Sequence, residues 1–180
     1  MSISTTAIPT GTWAANPVHS KVGFALKYVV STYRGDFQDF DATLTSADGD
    51  VRLVGAVRPA SISVKDENLA AHLQSPDFFD SERHPELRFE STSFTIDGDD
   101  LVVEGDLTIK GTTQQVVGRG TLNGPSEDFA GNTRLGIELE AEIDRTAFGV
   151  SWNAPLPKGG LALANEVALQ IELEFILATA

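Results

Sequence analysis

The chain has 180 residues, 41% of them hydrophobic and 22% charged, with a formal net charge of −13 and a pI near 4.5. That length suits one sizeable domain with a real core and is short for two. The acidic balance argues against nucleic acid, whose affinity rests on Lys and Arg neutralising phosphates, and against docking on an anionic membrane through a basic patch. With no cysteine, disulfides, thiolate chemistry and Cys-type zinc sites are excluded.

Residues 1–10 are rich in Ser and Thr and are expected to be loose, ahead of a single domain over 11–180. Residues 1–17 show no basic stretch followed by a continuous apolar run, so no signal peptide is expected. No run of about 18 apolar residues occurs, so no integral membrane segment is expected. A cytoplasmic protein is the resulting expectation.

Trp13 opens the first strand, and Asn16-Pro17 turns the chain. From Lys21 to Tyr28 the residues alternate, with Val22, Phe24, Leu26 and Tyr28 on one face. A bend is expected over Tyr33 to Gly35. A strand follows from Asp36 to Thr45, where the odd separation of Phe37 and Phe40 suggests a bulge. Ala47-Asp48-Gly49-Asp50 reads as a hairpin turn. Val51 to Val64 is β-branched and interrupted at Pro59, which suits an edge or a bulge.

Asp66 to Ser91 is the one convincing helical stretch. Asp66 is placed to cap free N–H groups of the first turn, Leu69 and Leu73 share a face at i and i+4, and Pro76 ends the helix. Phe78 and Phe79 then sit between Asp77 and Asp80. Two large rings in an acidic turn need apolar surroundings, either as ordinary core or as a gate. Helix and turn are expected to plug one end of a barrel.

Strands follow over Leu87–Ile96, Leu101–Ile109 and Thr113–Leu122, joined by Asp97-Gly98 and Lys110-Gly111. Asn123-Gly124-Pro125 is expected to start a polar loop to about Thr133. Arg134 to Asp144 alternates most strictly, with Leu135, Ile137, Leu139, Ala141 and Ile143 opposite Glu138, Glu140 and Glu142. Trp152 to Gly160 reads as a long loop, and Glu166 to Leu177 as the closing strand.

Eight or nine strands with one apolar face each, joined mostly by hairpins, point to an all-β fold. The expected form is an elongated antiparallel barrel of about eight strands with one short helix, because closure removes exposed edges. At that size the interior is filled by side chains or holds one small ligand. Strands longer than nine residues span roughly 30–40 Å at about 3.3 Å per residue. The small residues Gly23, Ala25, Gly105, Gly118, Gly120 and Ala141 either open a lumen or merely bend strands.

No catalytic constellation stands out. His19 and Ser20 are adjacent, so on a strand they would point to opposite faces, and no GxSxG elbow is present. A hydrogen-bonding corner at the barrel entrance suits them better. His72 and His84 straddle the helical turn without metal-ligand spacing. No catalytic residue, metal or cofactor is assigned.

Four stretches, in order, resemble the YceI-like family over about residues 11–178. They are His19-Ser20-Lys21-Val22-Gly23-Phe24 after Trp13 and Pro17; the segment with Leu73, Ser75, Asp77 to Asp80, Pro85, Phe89 and Ser91; Gly105 to Thr113; and Arg145-Thr146-Ala147-Phe148-Gly149 with Asn165-Glu166-Val167. The resemblance implies a lipocalin-like barrel with a long apolar tunnel. It also implies non-enzymatic binding, storage or transport of a polyisoprenoid lipid, an isoprenoid quinone or polyprenyl compound. With the inward strand faces as walls, the tunnel would be lined by Val22, Phe24, Leu26, Phe37, Phe89, Leu107, Leu135, Ile137, Leu139 and Ile171. Leu73, Phe78, Phe79, Phe148 and Trp152 would line its plugged end. His19, Ser20 and Tyr28 are the polar residues assigned to the entrance. The pattern departs at Asn16, where Asp is frequent, at Tyr28, where His is common, and at Gln114, where a basic residue is usual. A head-group contact through that His or basic residue therefore lacks its side chain here. The lipid is the expected partner, with a homodimer left open. An enzyme acting on a hydrophobic isoprenoid-like substrate, with a His as acid–base, is the alternative.

Overall fold

The computed structural model describes residues 8–178. It contains strands β1 (Gly11–Ala15), β2 (Lys21–Tyr28), β3 (Ser31–Phe37), β4 (Phe40–Ala47), β5 (Asp50–Val57) and β6 (Ile62–Ser63), followed by the helix α1 (Glu67–Gln74). Strands β7 (Leu87–Asp97), β8 (Asp100–Ile109), β9 (Thr112–Glu127), β10 (Thr133–Asp144) and β11 (Glu166–Leu177) complete the order. All pairings are antiparallel. The sheet runs β1-β4-β5-β7-β8-β9-β10-β11 and closes through a β1–β11 pairing. The wall is a closed barrel of eight strands.

Three of those strands are composite, and the sequence explains each break. β1 and β2 both pair with β11, at its opposite ends, so they form one wall strand kinked at a short 3-10 turn, Pro17–His19. Asn16 caps that turn, its Oδ1 accepting from Val18 N at 3.2 Å. β3 and β4 are likewise one strand interrupted at Gln38-Asp39, between the two phenylalanines whose spacing breaks period 2. The bend expected over Tyr33 to Gly35 is instead regular strand, because Gly35 lies under the Phe24 ring and its neighbours keep pairing with β2. β5 and β6 are separated by the 3-10 turn Pro59–Ser61, where proline supplies no ladder donor.

β9 runs on to Glu127, so Asn123-Gly124-Pro125, expected in a loop, lies in a strand. A register shift opposite Arg134 to Gly136 accommodates it. Gly124 takes a φ of 93° there, a conformation that glycine adopts without Cβ strain.

α1 forms as its text suggests. Asp66 accepts from Asn68 N at 2.8 Å, and Leu73 is the buried residue of the helix. The helix and the turn after it connect β6 to β7 and line the chamber at this end of the barrel. β6 pairs with β3, whereas β7 pairs with β5 over Val54–Val57 and Leu87–Glu90 and with β8.

The buried residues fall into two clusters. One holds Trp13, Leu44, Leu101, Leu135, Ile137 and Phe175, each 0 or 1% exposed, at the end away from α1. Ile8, within the segment expected to be loose, is 2% exposed in this cluster, and its carbonyl accepts from Ser46 Oγ at 3.1 Å. The second cluster gathers Phe37, Leu73, Phe78, Leu87, Ile109 and Phe148 around α1. Glu138, Glu140 and Glu142 are exposed, which fixes the apolar face of β10 inward.

Candidate functional site: a hollow behind the helix

Between the packed end and α1 the barrel is hollow. A mid-barrel cavity of about 150 Å³ is walled by Val22, Phe24 and Phe37 on one side and by Phe89, Leu107, Leu139 and Ile171 on the other. A larger chamber of about 400 Å³ lies behind α1, walled by Leu26, Leu69, Leu73, Phe78, Phe79, Phe148, Trp152 and Leu163. The two adjoin along Phe24, Phe37, Leu87, Ile109 and Leu169, which line both.

The small residues play different parts. Gly118 and Ala141 line the mid-barrel cavity. A Cβ on Gly118 would meet only Leu139 side-chain atoms, at 3.6 Å and beyond. Gly120 instead lets two strands approach, since a Cβ there would lie 1.7 Å from the Glu138 carbonyl oxygen. Gly105 lies beneath the Phe89 ring, 2.5 Å from where its Cβ would be.

The cover of the chamber is aromatic. Phe79 meets Phe37 edge-on at 5.7 Å and Phe24 at 6.5 Å. Phe78 packs on His72 at 4.9 Å and Trp152 at 5.5 Å between ring centroids. Aromatic pairs of this kind add about 0.5–1.5 kcal/mol each beyond burial. The backbone secures the turn: Phe79 N donates to Leu73 O at 2.9 Å and Asp80 N to Ser75 O at 2.9 Å. Lys110 Nζ donates to the carbonyls of Pro76 and Gly149. His72 Nε2 meets Asp77 Oδ2 at 2.9 Å.

Several expected site residues lie elsewhere. Leu135 and Ile137 belong to the close-packed end and face neither cavity. Alternation places them inward but does not say whether the space opposite is filled. His19 and Ser20 sit at the kink between β1 and β2, on the barrel flank rather than at its mouth. His19 is exposed there, and Ser20 Oγ accepts from Glu174 N at 3.0 Å. Tyr28 does stand at the rim of the chamber, 47% exposed. Gln114 donates to Ala147 O at 3.2 Å, also outside the hollow.

Four polar residues of the chamber, Tyr33, Asp66, His72 and Arg145, were not assigned to the lipid site by the sequence, and of these Arg145 and Tyr33 carry a buried polar atom without a partner among the described residues. Arg145 starts the 3-10 turn Arg145–Phe148 and is 5% exposed. Its Nε donates to Ala164 O at 2.8 Å, and its Nη1 to Val150 O at 2.8 Å and Trp152 O at 2.9 Å. Burial pulls its pKa below the usual arginine value, against the attraction of neighbouring Asp144. Burial likewise raises the pKa of Tyr33. The sequence signal was a lone arginine closing the acidic strand β10, at the head of a Phe-Gly turn.

Comparison with known proteins agrees with this architecture. The YceI-like domain model matches residues 13–175. The chain belongs to the YceI-like family. A UPF0312 protein of Staphylococcus aureus (strain N315) is 32% identical over 162 residues, 87% of this chain and 92% of that protein. A Staphylococcus epidermidis UPF0312 protein is 32% identical over 166 residues, 88% and 93% of the two chains. Among solved structures, Burkholderia cenocepacia BcnA superposes with a TM-score of 0.76 at 23% identity, over 92% of this chain and 99% of its own. A polyisoprenoid binding domain from Saccharophagus degradans, implicated in plant cell wall breakdown, superposes with a TM-score of 0.71 at 10% identity, over 92% and 98%. At these identities the two structures speak to the fold. Among the described residues, no helix is long and apolar enough to cross a membrane.

Proposed function

We propose that this protein binds a polyisoprenoid lipid, an isoprenoid quinone or a polyprenyl compound, for storage or transport and without transforming it. The observation that carries the reading is the pair of adjoining apolar cavities, sealed at one end by packed side chains and covered at the other by α1 and its phenylalanines. Burial of a chain there gains about 0.8 kcal/mol per methylene, so affinity accrues along its length with little polar recognition. Membership of the YceI-like family and the fold shared with a polyisoprenoid binding domain support the same class of ligand. The chain enters past α1 and lies along Phe24, Phe37, Phe89, Leu107, Leu139 and Ile171.

Organic extraction of the purified protein followed by mass spectrometry, together with uptake of added polyprenyl compounds by delipidated protein, tests this. Recovery or uptake of a prenyl lipid at near-stoichiometric amounts is expected. Neither recovery nor uptake would overturn the proposal.

A further inference from the structure

Three buried side-chain atoms lack a hydrogen-bond partner among the described residues: Tyr33 Oη, Gln74 Oε1 and Arg145 Nη2. All three belong to the α1 end of the barrel, and Tyr33 and Arg145 line the chamber itself. Buried polar groups are nearly always paired, because an unpaired one loses its hydrogen bonds to water and gains none in return. Two unpaired donors in one apolar chamber therefore call for an explanation.

Arg145 is the more informative of the two. Three backbone carbonyls hold its Nε and Nη1, which fixes the guanidinium plane and leaves both hydrogens of Nη2 without an acceptor. It takes part in none of the ion pairs among the described residues. The carboxylate next to it in sequence, Asp144, is engaged by Thr146, accepting from its N at 2.9 Å and its Oγ1 at 2.6 Å. A buried cation held by carbonyls alone is an incomplete site, since buried charges are ordinarily paired.

We propose that Arg145 Nη2 and the Tyr33 hydroxyl receive the oxygen head of the bound lipid, an acceptor such as a quinone carbonyl or a phosphate oxygen. This rests on the polyisoprenoid reading above and adds the head-group chemistry and the orientation to it. The head lies in the chamber behind α1, and the tail points through the mid-barrel cavity toward the packed end. Both donor atoms are shielded from water in this structure, so the head reaches them by displacing neighbouring apolar side chains of the chamber. A free hydrocarbon satisfies neither donor. The shared requirement is an acceptor oxygen; charge distinguishes its two sources.

The test uses delipidated full-length protein and three probes with the same isoprenoid skeleton: geranylgeranyl phosphate, a geranylgeranyl-substituted naphthoquinone and the corresponding hydrocarbon. At least one headed probe is expected to bind about ten-fold more tightly than the hydrocarbon, equivalent to about 1.4 kcal/mol. The better of the two identifies the head as oxyanion or carbonyl. Tyr33→Phe removes only the unpaired hydroxyl, and Arg145→Lys keeps the charge but loses the planar fork. Each is expected to abolish the ratio between headed-probe and hydrocarbon affinity, both measured on the same variant. Should Arg145→Lys fail to fold, Tyr33→Phe decides alone. Equal binding of all three probes, or a preference that survives Tyr33→Phe, overturns the head-group assignment and leaves chain binding standing. If no probe binds, both readings fall.

Discussion

The two ends of this barrel are made from the same strands yet differ in kind. At the end away from α1, Trp13, Leu44, Leu135, Ile137 and Phe175 fill the interior to 0 or 1% exposure. At the α1 end the same β10 and β11 face a chamber of about 400 Å³, and the three unpaired buried side-chain atoms of the described residues gather there. Outside the packed end, Arg134 bridges Asp128 and Glu174, with its Nε 2.6 Å from Asp128 Oδ2. One end is built for stability. The other keeps unsatisfied donors and empty volume, as ligand sites do.

A matched pair of substitutions breaks this comparison most sharply. Ile137→Asp buries a carboxylate in the packed end, at several kcal/mol, out of a typical stability of about 5–15 kcal/mol. Ile171→Asp, on neighbouring β11, faces the open volume of the mid-barrel cavity rather than close-packed side chains. Thermal denaturation with lipid quantification should show Ile137→Asp unfolded or severely destabilised, and Ile171→Asp folded but without lipid. A folded Ile137→Asp protein that keeps its lipid would contradict the assignment of the two ends.

The next effect is on the cover of the chamber. Phe78→Ala with Phe79→Ala removes the aromatic contacts over Phe24, Phe37 and Trp152. Ligand exchange, followed by stopped-flow displacement, is expected to accelerate more than stability falls. Unfolding with unchanged off-rates in the remaining folded fraction would make these rings plain core.

Capacity provides a subtler contrast. Gly118→Leu extends a side chain from a position whose Cβ has ordinary clearance to Leu139, into the mid-barrel cavity. It is expected to fold and to accept only shorter prenyl chains in a chain-length series. Gly120→Ala, two residues along β9, collides with the Glu138 carbonyl and is expected to lower the melting temperature instead.

The smallest effect concerns the packed end. Hydrogen bonding to Arg134, supported by backbone N–H groups, pulls the Asp128 pKa down to about 2. A depressed folded-state value means that Asp128 stabilises the fold above its unfolded pKa of about 3.9. That contribution is lost as pH falls through about 2. Urea denaturation from pH ~6 to ~2 should show wild type ahead of Asp128→Asn at the upper end, with the gap closing toward the lower. A gap independent of pH would contradict the ion-pair account.

Much of the fold was legible because strand text carries its own period. Lys21 to Tyr28 and Glu166 to Leu177 match β2 and β11, and Asp66 caps α1 as its position suggests. The stretch Asn123-Gly124-Pro125 was not legible as strand, since a bulge stabilised by β10 overrides its turn chemistry. The site was legible in part. Alternation identified inward residues such as Phe24, Leu139 and Ile171, but it cannot report whether the opposite wall is near or far. Leu135 and Ile137 were therefore indistinguishable from Leu139. His19 drew attention by its type, although its turn holds it on the outer flank. Arg145 was visible only as the arginine ahead of the Phe148-Gly149 turn; its importance lies in the carbonyls of Val150, Trp152 and Ala164, which only the folded chain brings around it.

The most direct test of the central claim, that the hollow end and not the packed end holds an isoprenoid chain, is photo-crosslinking. Delipidated protein is loaded with a geranylgeranyl probe carrying a diazirine at the tail end, irradiated, and mapped by peptide mass spectrometry. Crosslinks at the mid-barrel cavity, on the peptides holding Phe89, Leu107, Gly118 or Ile171, are the predicted result. Crosslinks confined to the outer surface or to the packed end around Trp13 and Leu44, or none competed by unlabelled lipid, would contradict it.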